Sequence, residues 1–508
     1  MHIDIRPVAK LRGPGPVNVS ATLGPLFEVL SDTPVDLARL RVVFDWIQYR
    51  NNFCEPVHCR PVLAERPHRP VTSDAPAPEP LAERAAERAA DIALEIAIDL
   101  RRCDGADSAT MIKAALASHH ANSGSLARTV LEPWLPASES CIWQFNTLYW
   151  QALKQWEQAT GHEYEQALPG GRSDARDTGT VRELILELFR VWDELDARRA
   201  LPEELYVVEL GVGNGNQART WLDVFAEVDR THGRDYYRRL HYLMGDYSAH
   251  VLDRARQTVG EHRDRVNAIV LDATRPQLTL GFLAGKAFLV YISNVYDNLP
   301  TDEVASIQGR PYLVEVRAYL PDEDADAITG RLGIPAGQLG PLIKRLLRLG
   351  PDLLAEAAPE YLSGVDRAVT LWRQAWAAVR LQERYVPLQG LDGYRVAPSY
   401  TGEILGPLLG SGDIRMHVSN GALASFAGTL PLLHPFGRLI CHDLFLTEPG
   451  QYHAGFHGPG KYDGSVVNWV NGPLLQLMGN RRGFDVQIAP LRARPAGSVK
   501  TLTAQVRD

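Results

Sequence analysis

One stretch limits what this chain can fold into: Tyr206-Val207-Val208-Glu209-Leu210-Gly211-Val212-Gly213-Asn214-Gly215-Asn216. The apolar run Tyr206 to Val208, with Leu210, has the character of a strand buried in a parallel sheet. Three glycines at alternate positions follow, and Gln217 to Val228 then reads as a helix. Strand, glycine-rich turn and helix is the junction at which an α/β sheet lets its backbone approach a nucleotide. A Cβ at such a turn would hold the ligand off and restrict φ.

The spacing narrows the ligand. A dinucleotide fingerprint needs G-x-G-x-x-G, but here Asn216 stands at the third position and Gly215 makes the pattern G-x-G-x-G. A phosphate-cradling loop needs Gly-Lys-Ser/Thr, which is absent. With Glu209 two places before the first glycine, the stretch resembles motif I of class I S-adenosylmethionine (SAM) methyltransferases. That resemblance implies SAM as cofactor, with Glu209 facing its ammonium group and Gly211, Gly213, Asn214 and Gly215 forming the turn. The competing reading is an ordinary glycine turn after a strand.

Downstream residues extend the sheet. His241 to Met244 reads as the second strand and ends in Gly245-Asp246-Tyr247-Ser248, where Asp246 can accept hydrogen bonds from both ribose hydroxyls. Val251 to Gly260 reads as a helix. Val266 to Leu271 forms a third strand with Asp272-Ala273-Thr274 at its tip, placed to meet an adenine amino group. Each acid alone has a simpler role, capping the helix that follows. The fourth strand, Ala287 to Ser293, delivers Asn294-Val295-Tyr296-Asp297-Asn298-Leu299-Pro300 to the position facing a transferred methyl group. Tyr312 to Tyr319 is a further strand carrying Glu315. Residues 321–405 read as a helical insertion with helices at Leu339 to Arg348 and Val365 to Arg384. The sheet resumes near Asp413, with strands at Asp413 to Val418 and Arg438 to Phe445 around a helix at Ala422 to Leu433. Phe484 to Pro490 and Lys500 to Val506 read as a closing antiparallel hairpin.

Ahead of motif I the signals are weaker. Val35 to Gln48 and Leu81 to Arg102 read as helices, the latter with Ile92, Ile96 and Leu100 on one face. Between them, residues 56–80 hold seven prolines and read as a linker or irregular surface. Met111 to His120 is another helical stretch. Ile142 to Gln166 is rich in aromatic residues, including Trp143, Phe145, Tyr149, Trp150, Trp156 and Tyr164. It reads either as a helix packed on a core or as a lid over an acceptor pocket. A polar loop at 169–178 and a helix at Val181 to Arg198 complete the approach. The expected division is therefore 1–140, an accessory region; 141–200, a helical cap; 201–320, a first nucleotide-binding half; 321–405, the insertion; and 406–508, the second half.

Composition excludes some function classes. At 508 residues, 45% hydrophobic and 22% charged, the chain has the make-up of a globular protein of two to four domains. A formal net charge of −8 argues against a nucleic-acid partner. No apolar run approaches the ~20 residues of a membrane-spanning helix, and the start lacks a signal-peptide core. Five scattered cysteines imply a reduced, cytoplasmic chain. Cys54, His58 and Cys59 suggest a metal site, but no second ligand pair follows, so no metal is expected.

Five stretches together resemble the MidA-like methyltransferases, the family of the complex I assembly-factor protein arginine methyltransferase. They are Glu209 to Gly215; Gly245 to Ser248; Asn294 to Pro300, similar to N-E-F-F-D-A-L-P; Gly437 to Asp443, similar to G-x-x-L-I-I-D-Y-G; and Pro459 to Asp463, similar to P-G-x-x-D. The resemblance implies a Rossmann-like class I sheet with a terminal antiparallel hairpin, plus a helical N-terminal region and insertion. It covers 205 to about 490. Cofactor contacts are expected at Glu209, Gly211, Gly213, Asn214, Gly215, Asp246, Tyr247, Asp272, Ala273 and Asn294. Acceptor contacts are expected at Asp297, Tyr296, Glu315 and His442, with His442 either a base or a core histidine. Val295 stands where the family has the glutamate that would clamp a guanidinium, and Glu315 can compensate. The methyl acceptor is then a protein side chain, arginine among them, or a bulky metabolite. Two other classes remain open: a SAM-binding assembly factor without catalysis, and a nicotinamide-dependent oxidoreductase on the same sheet type.

Overall fold

The computed structural model of the chain describes residues 1–5, 19–45, 53–65, 92–99, 102–103, 107–121, 128–164, 178–410, 412–453, 458–492 and 494–507. Its centre is a seven-stranded sheet. The strands are β1 (Leu205–Leu210), β2 (Leu240–Asp246), β3 (Val266–Val270), β4 (Ala287–Ser293), β5 (Leu433–Asp443), β6 (Phe484–Pro490) and β7 (Lys500–Val506). They lie side by side in the order β6-β7-β5-β4-β1-β2-β3. β1 to β5 are mutually parallel, while β7 runs antiparallel to both β5 and β6. The chain winds outward in one direction through β2 and β3, then returns to place β4 on the other side of β1. Ligands in such sheets bind beyond the carboxyl ends of the strands, where the winding reverses. Here that point lies between β1 and β4.

Helices cover both faces, which explains why β1 and β4 are apolar almost throughout. On one face, helices Thr178–Ala197 and Asn216–Thr231 bury Ile185, Trp192 and Phe225 against the sheet. On the other, helices Asn420–Thr429 and Gly472–Arg481 bury Phe426 and Met478. Each large apolar side chain enclosed in this way contributes about 1.5–3 kcal/mol.

A second, antiparallel sheet carries Arg380–Pro387, Arg310–Pro321, Glu303–Ile307 and Ile414–His417 in that order. Helices Asp322–Leu332, Ala336–Ala357 and Val365–Ala378 lie in the chain between its strands. The aromatic helices Cys141–Gln151 and Leu153–Thr160 share a core with them, through Phe145, Leu148, Tyr149 and Trp156. The N-terminal residues form a third sheet, ordered His2–Ile5, Leu40–Asp45, Leu94–Asp99, Val57–Pro61, beside helices Val19–Ser31 and Ser108–Ala121.

The third sheet is joined to the second by buried charges. Arg60 Nε donates to Glu383 Oε2 at 2.5 Å and its Nη1 to Glu95 Oε1 at 2.9 Å. Arg415 donates to Glu383 at 2.9 and 3.0 Å, and its Nε to Glu303 at 2.8 Å. Tyr385 Oη donates to Glu95 at 2.8 Å. Burial alone would raise these carboxyls, yet the two guanidiniums hold Glu383 well below the usual carboxylate range. Cys54 Sγ and His58 Nε2 also approach Glu383, at 3.7 and 3.6 Å.

Several expected helices are strands. Within Val35 to Gln48, one short turn, Leu37–Arg39, leads into strand Leu40–Asp45; residues 46–48 lie outside the described residues. Within Leu81 to Arg102, Leu94–Asp99 is a strand with every residue buried, and 81–91 lie outside the described residues. The N-terminal region is thus built on a sheet rather than on helices alone. Part of the proline-rich stretch, Val57–Pro61, is a strand too; 66–80 lie outside the described residues. The helix starting at Val365 stops at Ala378, because Arg380–Pro387 pairs along its own length with Tyr312 to Tyr319. The insertion is therefore not wholly helical. Ile414–His417 belongs to the second sheet, so the central sheet resumes only at Leu433. The loop expected at 169–178 lies outside the described residues except Thr178. No helix among the described residues is long and apolar enough to cross a membrane.

Candidate functional site

A cavity of about 780 Å³ opens beyond the carboxyl ends of β1 to β4. β1 supplies its floor. Gly211, Gly213 and Gly215 all take positive φ, at +74°, +56° and +81°, where a side chain is strained. Their surroundings differ. A Cβ on Gly211 would collide with Val295 in the loop after β4. One on Gly213 would meet Tyr164 Oη at 2.7 Å, inside the cavity. One on Gly215 would strike the Ala255 backbone at 2.8 Å. Gly215 therefore sets how closely helix Ala249–Thr258 packs, and it does not line the cavity.

The acids expected at the strand tips do line it. Glu209 is buried, takes a hydrogen bond from Tyr242 Oη at 2.7 Å, and has no ion pair among the described residues. Burial pushes its carboxyl up to about 8, opposed by the Tyr242 bond. Asp246 accepts the Ser248 and Gly213 amides at 3.0 and 3.3 Å, and burial raises it to about 6 despite those donors. Asp272 accepts the amide and hydroxyl of Thr274 at 2.8 and 2.7 Å, closing a turn at the tip of β3. Asn214, Tyr247, Ala273 and Asn294 also face the cavity. Gln151 Nε2 donates to Tyr247 Oη at 3.2 Å and so ties the aromatic helix to the end of β2.

Of the four expected acceptor contacts, three lie outside the cavity and one lines it. Tyr296 turns inward, 1% exposed, into the core beneath the loop after β4. Glu315 lies on the second sheet and is held by Arg384 at 2.5 and 3.0 Å, with Trp134 over that guanidinium. It does not reach the cavity. His442 points across β5 to Thr501 Oγ1 at 2.9 Å, and burial lowers it to about 4. It is half-buried and does not line the cavity. Asp297 does line the cavity. It lies near Asp443, which accepts the Val295, Tyr296 and Leu444 amides at 3.1, 2.8 and 2.8 Å. Burial and then the charge of Asp443 push the Asp297 carboxyl well up.

The far half of the cavity corresponds to the aromatic segment that the sequence leaves between a core helix and a lid over an acceptor pocket. Trp143, Tyr149, Trp150, Tyr164, Tyr462 and Trp469 form its walls, so the aromatic segment both packs on a core and faces the cavity. Asn146 braces it, donating to Asn298 O at 2.9 Å and accepting from Val466 N at 2.9 Å. Asp463 also lines it, taking Tyr149 Oη at 2.9 Å and Trp156 Nε1 at 3.0 Å. The aromatic density of 142–164 is the signal for this half, and Asp463 is marked in the sequence only as the last residue of the P-G-x-x-D-like stretch Pro459 to Asp463.

The fold and the cavity define a doubly wound α/β protein with a ligand site at its switch point. No protein-family model matches the chain, and no curated protein matches it. Among solved structures it is similar to an uncharacterized COG1565 superfamily protein from Burkholderia thailandensis, at 15% identity and TM-score 0.41, covering 77% of this chain and 90% of that one. It is also similar to a COG1565 superfamily member from the same organism bound to S-adenosyl-homocysteine (SAH), at 13% identity and TM-score 0.43, covering 77% and 91%. DszA carbon methyltransferase matches at 13% identity and TM-score 0.31, covering 73% and 67%.

Proposed function

We propose that the protein is a SAM-dependent methyltransferase acting on a protein side chain or a bulky small molecule. The observation that carries the reading is Glu209: a buried carboxyl without a counter-cation among the described residues, at the end of β1, beside a glycine turn open to the cavity. A ligand bearing an ammonium group beside an uncharged nucleoside suits it. Asp246 can take the ribose hydroxyls and Asp272 with Ala273 the adenine edge, with Gly211, Gly213, Asn214 and Asn294 giving close backbone approach. When bound, SAM would supply an electrophilic methyl group on a sulfonium. This chain's own residues do the rest. The loop Asn294–Pro300, fixed by Asp443, aligns the acceptor. The aromatic walls exclude water. Asp297 is the acid nearest that task.

Calorimetry with SAM, SAH and NADH tests the cofactor, and mass spectrometry of cell extract incubated with protein and SAM tests turnover. SAH binding without NADH binding, and products heavier by one methylene, are expected. NADH binding alone would overturn the reading. SAH binding without any methylated product would instead favour a SAM-binding assembly factor. The reading further places the protein in the cytoplasm, without a nucleic-acid or membrane partner.

A further inference from the structure

The acids of the cavity are not all needed by the ligand proposed for its near half. Its lining carries Glu209, Asp246, Asp272, Asp297 and Asp463, whereas Arg494 is the single arginine or lysine among the described lining residues. The first three stand at the tips of β1 to β3. Asp463 stands apart, at the end of an unbroken aromatic wall. Tyr164 touches the Gly213 turn; Trp150 meets Tyr164 edge-to-face at 5.6 Å; Tyr149 meets Trp150 at 4.9 Å; and Tyr149 donates to Asp463.

Asp463 takes φ of +50°, the left-handed region that aspartate enters more readily than most residues. Gly464 presses on Tyr149 and on Trp156, which a Cβ would meet at 3.0 Å, and Trp376 Nε1 donates to the Asp463 carbonyl at 2.6 Å. Among the described residues the carboxylate receives only neutral donors, one on each oxygen. A carboxylate beside aromatic faces is the arrangement that attracts a desolvated cation. Each oxygen accepts one donor and keeps a second lone-pair direction, so the carboxylate remains open to a cation, and the surrounding rings suit an alkylammonium.

We propose that the far half of the cavity is a subsite for an alkylammonium group, held between Asp463 and the faces of Tyr149, Trp150, Tyr462 and Trp469, so that the methyl acceptor is a molecule that is anchored by such a cation and takes the methyl group on a different, uncharged atom. The inference rests on the reading of the near half as the SAM site.

Choline serves as the cationic probe, 3,3-dimethyl-1-butanol as its neutral counterpart, pivalate as the anion and butylguanidinium as the planar cation. Each is titrated into the full-length, SAH-loaded protein and followed by calorimetry and tryptophan fluorescence. Choline is expected to bind at least tenfold more tightly than the other three. Asp463→Asn, which keeps an acceptor oxygen and tolerates positive φ, should weaken choline at least tenfold and leave SAH affinity unchanged. Trp150→Leu should do the same, and it carries the test if the first variant fails to fold. Equal affinity for the alcohol, tighter binding of butylguanidinium, or unchanged choline affinity in both variants overturns the subsite. Wild-type protein that binds no SAH overturns the cofactor reading and this inference with it; wild-type protein that binds SAH but prefers the alcohol overturns this inference alone.

Discussion

Replacing Glu209 with glutamine separates the folding cost of this residue from its use. The carboxyl goes from an ordinary value of 4.5 to about 8 in the folded chain, mainly through burial. A raised folded pKa means that the folded state holds a proton the unfolded state has lost. The stability Glu209 allows is thus fully present below about pH 4.5 and falls as pH rises towards about 8. Each pH unit in that window is worth about 1.4 kcal/mol, so about 2.7 kcal/mol disappears between pH 5.5 and 7.5. Glu209→Gln removes this slope. The new amide must itself be buried, at about 1–3 kcal/mol, so the two proteins should be of comparable stability near neutral pH. The diagnostic is the wild-type minus variant difference across a pH series of denaturant titrations. Asp443, raised to about 6, contributes equally to both proteins and cancels, whereas Asp246, whose charge helps raise Glu209, stays in the difference. An ammonium-bearing ligand should ionise Glu209, so SAH binding at pH 7 should release ~1 proton, read by calorimetry in buffers of different ionisation enthalpy. In the variant that release should vanish and SAH should bind at least tenfold more weakly. A difference curve flat from pH 5.5 to 7.5 refutes the burial argument, and unchanged SAH affinity refutes the assignment of the ammonium contact.

Gly213→Val should abolish SAH binding, because φ of +56° strains a branched residue and its side chain would fill the space by Tyr164; retained affinity by calorimetry would place the ligand elsewhere. Glu315→Gln should leave SAH affinity and methyl transfer within about twofold of wild type, since Glu315 lies outside the cavity, paired with Arg384 on the second sheet; a lost activity with intact folding would return Glu315 to the acceptor site. Arg415→Met should destabilise by about 3–5 kcal/mol, because it strands the buried carboxylates of Glu303 and Glu383; a melting temperature unchanged within a degree would contradict this.

The parts legible in the sequence were those whose meaning is local. β1 and β4 are short, apolar almost throughout and followed by distinctive turns, so their identity and their neighbours at the site could be read residue by residue. Leu94–Asp99 shows the opposite. Its alternating leucine and isoleucine fits either period, and an alanine- and glutamate-rich stretch before it favours helix. The partners that make it a strand lie about 35 and 50 residues earlier in the chain. Orientation at strand ends was hidden for another reason. His442 and Asp443 are adjacent, so they point to opposite faces of β5, and only the register with β7 assigns His442 to Thr501 and Asp443 to the loop after β4. Glu315 was misjudged because Arg384, which holds it, was expected at the end of a helix rather than opposite it in a sheet.

The buried charges between the N-terminal sheet and the second sheet set a schedule for synthesis. Arg60 leaves the ribosome 323 residues ahead of Glu383. At about 5–20 residues per second that is a wait of roughly 16–65 s. Throughout it, Arg60 and Glu95 must stay hydrated, since enclosing them without Glu383 and Arg415 would strand charge in a dry interior. The first hundred residues therefore cannot complete their packing while they are being made, and this junction closes only after most of the chain has emerged. Nascent chains of increasing length should accordingly remain protease-sensitive around Arg60 until residue 415 clears the exit tunnel.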